Sequence, residues 1–266
     1  MTTHGAHIKA ICKLLRGFAY REDLHRLFSD CMEATAIAIS NSVDLANRER
    51  REARYLEIVG RYGREIIDAF PKVLGEIVMA FETEPGDVLG AVYAELELRS
   101  KDKGQYFTPY TVCQFMAGVT LISRESTEEI IARNGFARAM EPACGSGAMV
   151  IALAEAMRSE GINYQRHLHV TAVDIDPRAV HMAYIQFSLL HIPAVVIHGN
   201  SLSMEMHDSW FTPAHIIGGW SAKLARREAE QAASALLEEM PPRDPIRPPK
   251  PAPAPASSEP RQLSLF

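Results

Sequence analysis

Residues 141–156 read EPACGSGAMVIALAEA, and this stretch decides how the chain folds. A carboxylate, Glu141, precedes two glycines one residue apart, Gly145 and Gly147, and an apolar run follows them. A glycine turn that opens a helix presents unpaired backbone N–H groups, and such turns hold nucleotide-like ligands. The stretch therefore predicts a strand, a ligand-binding turn and a helix in that order.

Two further short apolar segments follow the turn, HVTAVDI at 169–175 and AVVIHGN at 194–200. Helix-like apolar spacing fills the stretches between them, at 147–161 and 177–193. This alternation predicts a parallel α/β sheet, in which ligands bind at the carboxyl ends of the strands. The polar residues that mark these predicted strand ends are Glu141, Asp174 and Asn200.

The chain is predicted to have four segments. The predicted segments are a helical N-terminal region (1–98), an α/β core (99–220), a helix capped by Ser221 (221–240) and a disordered tail (241–266). Nine of the twenty residues at 241–260 are proline, which favours an extended linker over a packed core. The arginine-rich run at 48–54 could contact phosphates, although a solvated helix face is the simpler interpretation.

The composition predicts a soluble globular protein. The chain has 266 residues, of which 47% are apolar and 23% charged, as in an ordinary soluble protein. The four cysteines form no C-x-x-C pair, which argues against a zinc or redox site. No apolar run is long enough to span a membrane and no signal-peptide core is present, so the cytosol is the expected location. The net charge of −5 means that any nucleic-acid contact must come from a local patch or a partner.

The turn lacks the features of phosphate-binding loops. The third glycine of a dinucleotide-binding turn is replaced by Val150, and the Lys-Ser/Thr pair of a P-loop is absent. Glu141 would repel phosphate but attract the ammonium or sulfonium of S-adenosylmethionine, which carries no phosphate. The residues therefore favour S-adenosylmethionine as the ligand.

The other strand ends fit the remaining parts of this ligand. Asp174 can accept hydrogen bonds from two ribose hydroxyls, Ile175 can pack on the adenine face, and the amide of Asn200 can contact the adenine edge. Each residue also has a simpler interpretation: the glycines as a tight turn, Asp174 as a turn cap and Asn200 as a loop former. Together they favour the cofactor site.

A family resemblance extends over residues 87–202. The segments DVLGAVYAELELRSKDKGQYFTP, EPACGSG, AVDIDP and GNSL resemble the modification subunit of type I restriction-modification systems, which are N6-adenine DNA methyltransferases. The resemblance implies a class I methyltransferase (Rossmann-like) core, possibly truncated, S-adenosylmethionine as cofactor, DNA as substrate and a partner subunit for target recognition. The residues to which it gives cofactor-binding roles are Tyr106, Thr108, Pro109, Glu141, Pro142, Ala143, Gly145, Ser146, Gly147, Asp174, Ile175, Asn200 and Ser201.

The catalytic tetrapeptide of this family, Asn/Asp-Pro-Pro-aromatic, is not found. Its amide and carbonyl oxygens would accept the protons of the target amine, and its aromatic would stack on the flipped base. The best positional match is Ile217–Trp220, where Trp220 is the weak candidate for base stacking. Two hypotheses stay open: a methyltransferase that uses other residues or those of a partner, and a catalytically impaired subunit or regulator that keeps the cofactor. A half sheet of four strands would also leave an exposed edge, to be covered by a partner or by the N-terminal helices.

The chain ends in QLSLF, which resembles the pentapeptide that binds the bacterial sliding clamp. Leu263, Leu265 and Phe266 would enter an apolar cleft, and Gln262 would form a hydrogen bond at its rim. A proline tether of twenty residues reaches about 60 Å at roughly 3.1 Å per residue. The third hypothesis is therefore a clamp-tethered DNA accessory protein, bacterial, cytoplasmic and nucleoid-associated; a chance apolar tail is the alternative.

Overall fold

The computed structural model describes residues 3–98, 108–122 and 127–239. The helices before the sheet are α1 (His4–Arg16), α2 (Leu24–Asn41), α3 (Arg48–Val59), α4 (Arg64–Ile67), α5 (Phe70–Thr83), α6 (Val88–Glu95), α7 (Tyr110–Ile122) and α8 (Thr127–Asn134). The elements that follow are β1 (Ala137–Glu141), α9 (Ala148–Ser159), α10 (Tyr164–His167), β2 (Leu168–Asp174), α11 (Pro177–Leu189), β3 (Ala194–Asn200), β4 (Glu205–Phe211), α12 (Pro213–Ile217) and α13 (Trp220–Glu239).

The four strands form one sheet in the order β1-β2-β3-β4. β1, β2 and β3 are parallel, with α9 and α11 as the crossover helices, and β4 returns antiparallel to β3. The register pairs Glu141 with Ala172 and Asp174 with His198. The predicted α/β fold, its three parallel strands and the helical N-terminal region are confirmed.

The four strands agree with the expected half sheet, but the sequence did not locate β4. Its first half is polar and exposed, so the apolar run that marked the other strands is missing. Pairing with β3 and burial of Trp210 near its end hold it in the sheet instead. Gly199 permits the close approach, because a Cβ there would lie 2.6 Å from the carbonyl of Glu205.

The N-terminal helices pack on α11. α2 and α6 both contact α11, and α1 packs on α5 and α6. Phe28 and Tyr93 from these helices and Tyr184 and Phe187 from α11 are fully buried in the same apolar core. Burying such large side chains is worth roughly 1.5–3 kcal/mol each, so this contact is a main source of stability. The boundary near residue 98 remains a prediction.

The outer edge of β1 has no strand partner within the part of the chain that the structure describes. A cavity of about 470 Å³ runs along β1, bordered by Met116 and Ala117 of α7, Ile130 of α8 and Leu153 of α9. The helices at this edge are α7 and α8, which lie in the predicted α/β core and not in the N-terminal region 1–98, whereas α2 and α6 pack on α11. Among the described residues the N-terminal helices therefore do not cover the edge of β1, and cover by a partner stays a prediction.

The arginine run on α3 is solvated except at Arg51 and, in part, Arg54. The Arg51 side chain is 2% exposed, lies 2.8 Å from Asp44 and places its guanidinium 4.0 Å from the ring centre of Trp210. Arg50 pairs with Asp208 at 2.8 Å. The interpretation as a solvated face is wrong for Arg51, since these contacts join α3 to β4.

The chain separates into two compact units. The boundary between them lies between Ala225 and Arg226, within α13. The described part of the second unit is helical and carries exposed charges. Arg227 lies 3.0 Å from Glu230, a spacing that stabilises an isolated helix by a few tenths of a kcal/mol. The predicted helix at 221–240 is thus present, although it begins one residue earlier.

Candidate functional site

The carboxyl ends of the parallel strands carry the polar residues that the sequence singled out. Glu141, Asp174 and Asn200 are the last residues of β1, β2 and β3. Because parallel strands end at the same edge of a sheet, these side chains border one opening. This edge is the candidate site.

The glycine turn between β1 and α9 depends on backbone angles that other residues rarely adopt. Gly145 has φ 54° and Gly147 has φ 98°. A Cβ at Gly147 would also lie 2.4 Å from the ring of Phe187 on α11. Position 147 therefore needs glycine both for its conformation and for packing, and α9 begins immediately after it.

Asp174 fixes the turn from the side of the site. One of its carboxylate oxygens accepts a hydrogen bond from Gly145 N at 2.8 Å, and the other accepts from Asp176 N at 2.9 Å. A carboxylate offers about four acceptor positions, so capacity for two ribose hydroxyls remains. Burial raises the pKa of Asp174, although these backbone hydrogen bonds act in the opposite direction.

Glu141 lies next to this carboxylate. Its side chain accepts a hydrogen bond from Ala143 N at 3.3 Å. Burial raises the pKa of Glu141, and the negative charge of Asp174 adds to the rise. Burial makes the ionised form of each carboxylate less stable. A cationic ligand group beside the pair would therefore be favoured, because it stabilises both negative charges.

Asn200 and Ser201 are engaged in local structure. The side-chain oxygen of Asn200 accepts hydrogen bonds from Leu202 N at 3.0 Å and Ser203 N at 3.3 Å. Ser201 Oγ donates to the carbonyl of Pro142 at 2.6 Å, which joins the end of β3 to the end of β1. The loop-forming interpretation of Asn200 thus describes its contacts here, and only its amide nitrogen is left for an adenine edge. The roles of both residues toward a cofactor stay predictions.

The remaining predicted residues differ in their placement. Ile175 is 64% exposed beside Asp174, as a platform for an aromatic ring requires. Pro142 and Ala143 are exposed on the turn, and Thr108 and Pro109 are exposed just before α7. Tyr106 lies outside the described residues, as do Gln262, Leu263, Leu265 and Phe266 of the predicted clamp-binding segment.

Ser146 points away from the opening. It is 1% exposed, and its hydroxyl donates to Asp87 at 2.6 Å on the side of the N-terminal helices. The hydroxyl of Ser146 is therefore directed to Asp87 and not to the opening, and the cofactor role that the resemblance gives to Ser146 stays a prediction for its backbone alone. Asp87 also caps α6, since its side chain accepts a hydrogen bond from Gly90 N at 2.9 Å.

The comparisons with known proteins identify the family. The model of the family described as N-6 DNA Methylase matches residues 85–223, just over half of the chain. This chain belongs to the N-6 DNA methylase family. The match includes Asp87, the glycine turn and all four strands. No curated protein matches it.

Two solved structures are similar to this chain at low identity. One is assigned as a modification subunit of a type I restriction enzyme from Vibrio vulnificus YJ016, with 12% identity, a TM-score of 0.45 and coverage of 76% of this chain and 57% of the other. The other is assigned as a class I S-adenosylmethionine-dependent methyltransferase from Listeria monocytogenes, with 13% identity, a TM-score of 0.40 and coverage of 74% and 54%. The chain thus spans little more than half the length of either protein.

Trp220 is buried in this member of the N-6 DNA methylase family. It is 1% exposed, and its ring centre lies 5.1 Å from that of Phe136 and 5.3 Å from that of His169. An indole enclosed in this way cannot stack on a base without leaving the core. The prediction that Trp220 stacks on a target base is therefore contradicted by its packing.

A hydrogen-bonded row leads from two buried histidines next to the indole to Ser221. His169 Nε2 and His215 Nδ1 share a hydrogen bond of 2.9 Å, and His215 Nε2 and Ser221 Oγ share another of 2.9 Å. Ser221 therefore sits inside α13 and contacts His215, so its predicted role as the helix cap is wrong. Burial lowers the pKa of His169 to about 3 and also lowers that of His215, so both rings are neutral.

The described residues show neither a metal site nor a membrane-spanning helix. No group of three or more His, Cys, Asp or Glu side chains there is arranged to hold a metal ion. Among the helices that the structure describes, none is both long and apolar enough to cross a bilayer.

Proposed function

We propose that this chain binds S-adenosylmethionine at the carboxyl ends of β1–β3 and takes part in the methylation of adenine N6 in DNA, within a bacterial restriction-modification or mobile-element system. The observation that carries the proposal is the pair of carboxylates, Glu141 and Asp174, with raised pKa values beside a glycine turn that opens a helix. A phosphate ligand would add negative charge to this pair, whereas an ammonium or sulfonium would compensate it. When bound, the cofactor supplies the methyl group.

Each part of the site has a distinct task in this proposal. Glu141 holds the ammonium of the methionine end, and the unpaired N–H groups at the start of α9 hold its carboxylate. Asp174 accepts the ribose hydroxyls with the capacity that Gly145 and Asp176 leave unused. The exposed side chain of Ile175 packs on the adenine ring.

The chain offers no described group that can hold the target amine at the position where the family carries its tetrapeptide. Ile217 and two glycines precede Trp220 there, and the indole is buried. We therefore propose that a partner subunit recognises the DNA target and contributes the groups that position the base. The second candidate, a cofactor-binding subunit without catalysis of its own, is favoured by the same burial of Trp220.

Calorimetry tests the cofactor site. The wild type, Glu141→Gln and the matched control Glu160→Gln, at the far end of α9, are titrated with S-adenosylmethionine and with 5′-methylthioadenosine, which lacks the amino-acid end. Glu141→Gln should weaken binding of S-adenosylmethionine about tenfold and leave the neutral analogue unchanged, because a charge-assisted contact is worth about 1.5–3 kcal/mol. Absence of binding to the wild type refutes the proposal, and equal losses for both ligands refute the role of Glu141.

Methyl transfer distinguishes the two candidate functions. Labelled S-adenosylmethionine and bacterial DNA are incubated with the purified chain, with and without extract of a host that carries the remaining genes of the system. We expect transfer only with the extract. Robust adenine methylation by the chain alone would contradict the need for a partner, and no transfer under either condition would favour the non-catalytic subunit.

The clamp-binding tail remains a separate proposal. It is supported only by the sequence of residues 262–266 and by their place after a proline-rich stretch. A synthetic peptide of the last ten residues should bind purified clamp at around micromolar affinity and lose binding when Leu265 and Phe266 become alanine. No interaction at hundreds of micromolar would eliminate the clamp proposal, and with it the proposed association with the nucleoid.

A further inference from the structure

A largely buried hydrogen-bonded cluster joins the back of the glycine turn to α6 and α11. It consists of Asp87, Ser146 and Gln186, and is called the Asp87 cluster below. Ser146 Oγ donates to one carboxylate oxygen of Asp87 at 2.6 Å, and Gln186 Nε2 donates to the other at 2.9 Å. Gln186 is 0% exposed and also donates to the backbone carbonyl of Ser146 at 2.7 Å.

The cluster allows only one arrangement of the Gln186 amide. Its nitrogen faces two acceptors, on Asp87 and Ser146, and its oxygen accepts from Leu89 N at 3.0 Å. Reversing the amide would place oxygen against oxygen at two contacts and leave the Leu89 donor unpaired. A Cβ on Gly90 would lie 1.9 Å from the Asp87 carboxylate and 2.6 Å from Ser146 Oγ, so α6 approaches the turn as closely as a glycine permits.

The glycine turn is therefore held from both sides. Gly145 N donates to Asp174 at the opening, while the next residue, Ser146, bonds to Asp87 and Gln186 behind it. Loss of the rear contacts leaves the turn free to shift, and catalytic or binding geometry tolerates shifts well below 1 Å. None of the rear contacts reaches the open side, so any effect on a ligand is transmitted through the turn.

We infer that Asp87 and Gln186 are positioning residues, which hold the glycine turn and the start of α9 in the conformation that receives S-adenosylmethionine. The inference rests on the proposed function for its ligand. It assigns to the N-terminal helices a part in cofactor binding, because α6 carries Asp87 at its cap. The order of the turn itself can be measured without any ligand.

A matched control separates the positioning role of Asp87 from its role as a helix cap. Asp87 caps α6, and removing a cap destabilises a helix wherever it lies. Asp23 caps α2 in the same way, accepting from Arg26 N at 2.7 Å, and is remote in sequence from the turn. Asp23→Ala therefore reproduces the loss of a cap without disturbing the Asp87 cluster.

The experiment compares the wild type, Asp87→Ala, Asp87→Asn and Asp23→Ala by amide hydrogen exchange and by titration with S-adenosylmethionine. Asp87→Ala should speed exchange about tenfold at the amides of residues 144–148 and weaken cofactor binding about tenfold. Asp87→Asn keeps one acceptor oxygen and should stay within about threefold of the wild type in both measurements. Asp23→Ala should change neither by more than about twofold.

Equal exchange at residues 144–148 in Asp87→Ala and Asp23→Ala overturns the inference, whether or not the wild type binds the cofactor. Failure of the wild type to bind S-adenosylmethionine overturns the proposed function alone, because the exchange comparison still decides how the turn is held. Should Asp87→Ala not fold, Ser146→Ala removes one bond of the cluster, and about threefold faster exchange at the turn is expected. Unchanged exchange in Ser146→Ala overturns the inference.

Discussion

The glycine turn and the segment Ile217–Ser221 use their polar and aromatic side chains in opposite ways. At the turn, Glu141 and Asp174 lie at an opening and retain acceptor capacity, while the supporting contacts lie behind. In the later segment, Trp220 is enclosed by packing and the hydroxyl of Ser221 is engaged in a partly buried hydrogen bond with His215. In this member of the N-6 DNA methylase family, the part that would hold the cofactor keeps an open site, whereas the one aromatic at the position of the missing motif, Trp220, is buried, although Ile217 beside it is 72% exposed.

Trp220→Ala should have the largest effect and should separate the two regions most clearly. Truncation of a fully buried tryptophan costs about 3–5 kcal/mol of unfolding free energy, because packing against Phe136 and His169 is lost. Urea unfolding measures the loss, with the exposed Phe115→Ala as control. Under conditions where Trp220→Ala is folded, its affinity for S-adenosylmethionine should match that of the wild type. A large loss of affinity would show that the two regions are coupled.

Gly147→Ala tests the opposite region. Backbone strain at φ 98° costs about 1–2 kcal/mol, and the clash with Phe187 brings the expected loss to about 3 kcal/mol. Gly161→Ala is the matched control, since Gly161 has φ 77° and no neighbour near its missing Cβ, so only strain of about 1 kcal/mol applies. Equal unfolding free energies for the two variants would show that the contact with α11 does not constrain the turn.

Asp174→Ala should lower the affinity for S-adenosylmethionine by about 2–3 kcal/mol, through the loss of two ribose hydrogen bonds and of the contact with Gly145. Calorimetry gives the affinity, and Asp208→Ala serves as a control at a carboxylate of β4 that pairs with Arg50. An Asp174→Ala variant that binds as tightly as the wild type would place the ribose elsewhere.

A fall in pH should reduce the stability contributed by the buried histidines and increase the stability of the region that holds Glu141 and Asp174. The pKa of His169 is lowered to about 3, so its contribution to stability is present above the ordinary value of 6.5 and is lost as the pH falls toward 3. The loss reaches about 1.4 kcal/mol per pH unit for one proton. Glu141 and Asp174 have raised pKa values, so their burial penalty disappears as the pH falls through those values.

Urea unfolding at pH 7.5, 6.0 and 5.0 measures the sum of these terms. The variant His169→Phe should show a smaller acid-induced loss than the wild type, and the exposed His191→Asn should leave the loss unchanged. Equal pH dependence of the wild type and His169→Phe would mean that the buried histidine row is accessible to protons in the folded state.

The sequence predicted the features that depend on local pattern. Alternating apolar segments gave β1–β3, α9 and α11, and therefore the strand ends at Glu141 and Asp174. The direction of the Ser146 side chain could not be predicted, because its partner Asp87 lies 59 residues away. Gln186 gave a faint signal as the one amide in the apolar run of α11, whose partner Asp87 is 99 residues distant. The burial of Trp220 could not be predicted, because the position of a residue relative to a motif carries no information about its packing.

The hydrogen bond between His169 and His215 should be directly observable by proton NMR spectroscopy. The two facing ring nitrogens, His169 Nε2 and His215 Nδ1, lie 2.9 Å apart and are both in neutral rings, so one of them carries a hydrogen and the other does not. A ring N–H shielded from water in this way exchanges slowly and resonates far downfield in a proton spectrum. It would report, without any label or substitution, each opening of the segment that carries Trp220.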